Sequence, residues 1–174
     1  CDLCHHSFCV GLGTRILAQE LDLPPLPFTF AAGLLHDVGK FIAERFIGID
    51  KTPAVKMAFE NQITVGQAEE EIYGIDHTEL GDLVLQQWNM PKELSQVARY
   101  HHQPEKCIAP NKMVDLVHVA DAIALMVGIG INSEGMNYKA SSETKKRLNL
   151  SRNTVEKVAS QLLPDFLELN EVLA

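Results

Sequence analysis

The run Phe28-Thr29-Phe30-Ala31-Ala32-Gly33-Leu34-Leu35 passes without a break into His36-Asp37-Val38-Gly39-Lys40. Residues 28–35 are apolar all round, the pattern of a central helix buried among other helices, and Gly33 lets a neighbouring helix approach closely. An imidazole beside a carboxylate at the end of such a helix can hold a metal from one point. The chain is therefore expected to be built of helices packed around a polar spot.

The rest of the sequence reads as helices with almost no strands. Residues 3–20 place Phe8, Leu12, Ile16 and Ala18 to one side and stop at Leu23-Pro24-Pro25-Leu26-Pro27, because prolines cannot continue a helix. A second helix is expected over residues 28–46. Thr52-Pro53 opens a third in N-cap then N1 order, running to about residue 67, and residues 67–73 add a short acidic turn ended by Gly74. Asp76 caps a helix over 77–88, and residues 92–102 form the next, which stops near Gln103-Pro104. Residues 111–127 are a long buried helix, followed by a Gly-rich loop over 128–138. Helices over 141–148 and 151–172 complete the chain, the latter with Pro164 as a kink or break. The fold class is all-α, a single multi-helix bundle over residues 1–174 with its core in 3–130.

Mapped onto these helices, scattered polar residues become a site. His6 lies on the first helix, His36 and Asp37 on the second, His77 at the start of the fifth, His101 and His102 at the end of the sixth, and Asp121 within the seventh. Metal centres in helical proteins are built this way, from side chains of facing helices. Imidazole and carboxylate donors suit one or two divalent ions such as Fe, Mn, Co, Ni or Zn. Asp121 sits in Val117-His118-Val119-Ala120-Asp121-Ala122-Ile123-Ala124, where a carboxylate needs a partner. His118, one turn earlier, is a candidate for that partner or for a group supporting a ligand.

Bland readings compete with each ligand. His36-Asp37 could be a capping arrangement, His77 an ordinary N1 residue after the Asp76 cap, and His101-His102 favourable cations at a helix C-terminus. His5 reads as a surface residue. Glu69-Glu70-Glu71 and Lys145-Lys146-Arg147 read as solvated helix faces.

Composition excludes several classes. A net charge of -8 with 15 dispersed basic residues does not suit sequence-independent nucleic-acid binding. The longest apolar stretch, residues 114–131, is interrupted by Asp115, His118 and Asp121, so neither a membrane span nor a secretory signal is expected and a cytoplasmic location follows. Cys1 to Cys4 and His5 to Cys9 have helical spacing, and the second Cys-x-x-Cys pair of a structural zinc site is missing, so Cys1, Cys4 and Cys9 read as reduced cysteines packed in a first helix. The chain starts on Cys1 and is expected to be a piece of a longer protein.

The motifs together resemble the HD superfamily of metal-dependent phosphohydrolases, whose pattern of His, His-Asp and a distant Asp falls on His6, His36-Asp37 and Asp121. The closer resemblance is to the HDOD branch of bacterial signalling domains. It rests on His6-Ser7, on residues 32–40, on Tyr73-Gly74-Ile75-Asp76-His77-Thr78-Glu79-Leu80-Gly81, on Trp88-Asn89-Met90-Pro91 and on Tyr100-His101-His102-Gln103-Pro104-Glu105. His77 and His101-His102 match positions that hold a second metal in two-metal relatives, the HD-GYP phosphodiesterases and diadenosine-tetraphosphate hydrolases, which makes Asp37 the bridging carboxylate. Gln103-Pro104-Glu105 stands where a Gly-Tyr-Pro would follow, so cyclic di-GMP specificity is not implied.

The resemblance implies hydrolysis of a phosphomonoester, phosphodiester or nucleotide by two clamped cations. Lys40, four residues after His36 on the same helical face, would contact a phosphate oxygen, and His102 would protonate the leaving group. It equally implies a second reading, an inactive signalling module that contacts partner domains and keeps the metal as a structural or vestigial feature.

Overall fold

The computed structural model describes residues 2–130 and 141–173, and every regular element among them is helical. Two helices form the centre. α1 (Asp2–Glu20) and α8 (Lys112–Met126) each bury residues on every side, Leu12, Ile16 and Leu17 from the first and Leu116, Val117 and Ile123 from the second. They pack against each other, with α2 (Thr29–Leu35) and α10 (Arg152–Leu173) also laid along α1.

The expected helix over 28–46 is three pieces. α2 ends at Leu35, Asp37 leaves helical geometry at φ -104° and ψ 20°, α3 (Val38–Ile42) resumes, and a π-helical turn (Ala43–Ile47) closes on Gly48. The break lies at the His-Asp pair itself, where tertiary contacts override a sequence pattern that is locally continuous. Nor is α2 buried all round. Ala32 and Gly33 face the core, while Phe28 and Leu34 are exposed; the sheathed helices are α1 and α8. The expectation for Gly33 holds, because a Cβ there would stand 2.7 Å from the Cα and N of Gly11. Apolar content alone cannot say which of several apolar helices ends up innermost.

Past Gly48 the chain forms α4 (Thr52–Asn61) and α5 (Val65–Tyr73), which pack together around a small separate cluster of Ala54, Ala58, Val65 and Ala68. Thr52 is the first helical residue and not the cap; its N–H and hydroxyl both donate to Asp50. The chain breaks at Gln62 (φ 56°), and a capping box of Thr64 and Gln67 starts α5, so the expected single helix to residue 67 followed by a turn is two true helices.

α6 (His77–Gln87) begins on the Asp76 cap as expected, and α7 (Lys92–Tyr100) follows. A Cβ on Gly39 would fall 1.9 Å from the His77 carbonyl, so this glycine allows α3 to touch the first turn of α6. Asn111 caps α8 by accepting from Met113 and Val114 N–H. α9 (Ser142–Arg147) is held to α8 by Arg147 and Thr144, which donate to the buried Asp115 carboxylate. α10 is continuous through Pro164. The Gly-rich loop expected over 128–138 lies outside the described residues from 131 onward.

Candidate metal centre

Five segments bring His6, His36, Asp37, His77, His101, His102 and Asp121 into one buried cluster, the full set expected from the sequence. The break between α2 and α3 turns the Asp37 carboxylate inward. Oδ2 lies 3.3 Å from His36 Nε2, while Oδ1 lies 3.5 Å from His101 Nε2 and 3.6 Å from His77 Nε2. Two overlapping groups share this residue: His6, His36 and Asp37, and Asp37, His77, His101 and His102, with donor atoms in each within 4.8 Å of one another. Asp121 closes the first side, with Oδ1 3.1 Å from His6 Nε2.

The orientation of the rings is uniform. His36 Nδ1 donates to the Gly33 carbonyl at 2.7 Å, His101 Nδ1 to Ala98 at 3.0 Å, and His6 Nδ1 to Ile129 at 3.0 Å. A carbonyl cannot donate, so each ring carries a hydrogen on Nδ1, and in the neutral ring the lone pair is on Nε2. His77 follows the same rule through a carboxylate, with Nδ1 at 2.5 Å from Glu69 Oε2. Its Nε2 lies 3.1 Å from His102 Nε2. His36 Nε2, His101 Nε2 and Asp37 Oδ1 are buried with no hydrogen-bond partner among the described residues. Nitrogen lone pairs and a carboxylate oxygen that converge without a donor between them fit a divalent cation.

His118 is the instructive contrast. Its Nδ1 donates to the His101 carbonyl at 2.7 Å and its Nε2 accepts the Ser141 N–H at 2.8 Å. Both nitrogens are engaged on backbone, which makes it a support for the His101 turn and not the hydrogen-bond partner of Asp121.

Charge at the site is arranged by burial and by neighbours. Burial alone would raise the Asp37 pKa, but Lys40, whose Nζ is 2.9 Å from Oδ2, and the surrounding imidazoles hold it well below the usual carboxylate range. Asp121 is likewise lowered against its burial by His6 and the nearby imidazoles. Burial, then the charges of His101 and His77, hold His102 well below an ordinary histidine. For His77 burial and Lys40 act downward, yet the bond to Glu69 outweighs them and the net shift is upward.

Glu69 was not visible as a site residue in the sequence. It belongs to an acidic run whose other members, Glu70 and Glu71, are exposed, and nothing local marks it as different. The described cysteines take no part: Cys4 is exposed, Cys9 is buried in the core, Cys107 is half-buried, and neither metal-type group contains one.

An all-helical bundle with His, His-Asp and a distant Asp gathered from separate helices defines an HD-type domain. The chain matches the HDOD domain family over residues 2–104, more than half its length, and belongs to that family. It is similar to the crystal structure of an HDOD domain protein with unknown function from Geobacter sulfurreducens, at 27% identity and a TM-score of 0.72 over 96% of this chain and 59% of that one. A second similar structure, from Shewanella amazonensis SB2B and named "Putative phosphohydrolase", is 20% identical with a TM-score of 0.61 over 92% of this chain and 63% of that one. A third, from Marinobacter aquaeolei VT8 and named "Putative signal transduction protein", is 18% identical with a TM-score of 0.73 over 97% of this chain and 38% of that one. This chain thus spans less than two thirds of each of these proteins. No curated protein matches it. No helix among the described residues is long and apolar enough to cross a membrane.

Proposed function

We propose that the chain is a metal-dependent phosphohydrolase acting on a small phosphorylated compound or nucleotide. In this reading His6, His36, Asp37 and Asp121 hold one divalent ion, and Asp37, His77, His101 and His102 hold a second, with Asp37 between them. The observation that carries it is the common anchoring of four buried imidazoles through Nδ1, which leaves each Nε2 aimed at the cluster. In His118, by contrast, both ring nitrogens are taken up by backbone groups and neither faces the cluster. Bound ions would supply Lewis acidity toward a phosphoryl oxygen and activate water for in-line attack.

The chain's own residues supply binding and charge. Lys40, with its side chain 10% exposed, offsets the Asp37 charge that would repel an anion and offers its ammonium to a phosphate oxygen. It lines a cleft beside the cluster with Glu69, Tyr73, Ile75, His77 and Leu80. His102, held neutral by its surroundings, serves here as a ligand or a base; the acid role the resemblance suggests would need its charged form. We place the activity in the cytoplasm, with another signalling domain as a partner.

The test is metal content of protein purified without chelators or a metal-binding tag, alongside a screen of phosphomonoesters, phosphodiesters and nucleotides. The reading expects about two equivalents of a transition metal. Asp37→Asn should lose metal and turnover while its far-UV circular dichroism stays unchanged. No uptake, even after Mn or Fe is added to the metal-free protein, would sink it.

One observation supports the alternative of a signalling module. Phe46, Ile47 and Phe59 are large apolar side chains left exposed on the turn after α3 and on α4. A module that works through partner contacts would keep its binding in Asp37→Asn.

A further inference from the structure

Three of the four anchored imidazoles are tied to backbone carbonyls, two of them within their own helical turn. Backbone anchors are insensitive to side-chain identity. His77 is the exception. It stands at the first position of α6, where no earlier helical turn offers it a carbonyl, and its Nδ1 is satisfied from α5 by Glu69 Oε2. The same oxygen accepts the His77 backbone N–H at 2.9 Å, so one carboxylate fixes both the main chain and the ring. The Glu69 side chain is 13% exposed and that of His77 2%, which shields the contact from water.

We infer that Glu69 is a positioning residue for the second ion: it holds His77 in the Nδ1–H form, turns Nε2 toward Asp37 and His102, and through its charge raises the donor strength of that nitrogen. The affinity half of this inference rests on the metal reading above; the tautomer half does not. Carboxylates that accept the far N–H of a ligating histidine act this way generally, and their loss weakens metal binding about 10–100-fold. The geometry makes the orientation of His77 depend on α5 staying docked against α6, whereas the His36 and His101 rings are held within their own helical turns.

The experiment uses the whole chain with Glu69→Ala and Glu69→Gln. In metal-free wild type, imidazole nitrogen chemical shifts should show His77 protonated on Nδ1, and in Glu69→Ala the hydrogen should redistribute toward Nε2. Titration with Co(II) should show the second equivalent weakened by about 10–100-fold in Glu69→Ala and less in Glu69→Gln, which keeps an acceptor without the charge. The first equivalent should change little. If Glu69→Ala fails to fold, Glu69→Gln carries the test, and a second equivalent bound as tightly as in wild type overturns the inference. Unchanged tautomer and unchanged affinity in a folded Glu69→Ala overturn it while leaving the metal reading intact. Failure of wild type to take up any ion overturns the affinity half together with the metal reading, and the nitrogen shifts still decide the tautomer half.

Discussion

Two histidines of equal burial, His36 and His118, do different work because of what faces Nε2. In His36 that atom has no hydrogen-bond partner, and in His118 it accepts from Ser141. Replacing His118 with Phe leaves the His101 carbonyl and the Ser141 N–H unpaired, and each such buried group costs roughly 1–3 kcal/mol. Urea unfolding of metal-free protein should show that loss. His36→Asn retains a donor for Gly33 and removes the nitrogen that faces the cluster, so its metal-free stability should fall less while metal uptake drops. Equal destabilisation by the two variants would contradict the assignment of one as support and the other as ligand.

At the scale of elements, the site depends on how closely helices approach. Gly39 is the contact point of α3 with α6, and a methyl group there would overlap the His77 carbonyl. Overpacking of this kind typically costs about 1–3 kcal/mol, and here backbone and not a flexible side chain must yield. Gly39→Ala should therefore lower the thermal midpoint and weaken the second metal equivalent together, since His77 moves with α6. α1 shows its two faces through its thiols. Cys9 is buried and its pKa is pushed up to about 12 by that burial, whereas Cys4 is exposed. Because the thiolate is the reactive form, iodoacetamide at neutral pH should label Cys4 in the folded protein and reach Cys9 only after unfolding, as read by peptide mapping.

For the whole molecule, ligands drawn from α1, the break between α2 and α3, α6, the end of α7 and α8 mean that an ion would tie the bundle together. An ion at one hundred times its dissociation constant stabilises by about 2.7 kcal/mol. A chain of this size shifts its midpoint roughly 2–4 °C per kcal/mol. Chelation should thus lower the thermal midpoint of the loaded protein and addition of metal should restore it; a midpoint indifferent to metal would argue against a site spanning these helices.

Much of this was legible in the residues. Prolines after residue 23, the Asp76 cap and the Asn111 region set most helix limits, because capping and proline chemistry are local. The clustered residue types were legible too, since buried imidazoles and carboxylates have few other uses. What could not be read was whatever depends on a distant partner. The helix break at Asp37 arises from packing against α6, the relative burial of α1 and α2 from which apolar faces find each other, and the roles of Glu69 and His118 from atoms eight and seventeen residues or more away along the chain. The sequence by itself determined that the chain is helical and which side chains could meet a metal; the tertiary structure alone decided which nitrogen of His6 and His77 faces the cluster, because the acceptor opposite each, the Ile129 carbonyl and the Glu69 carboxylate, is brought there by the fold.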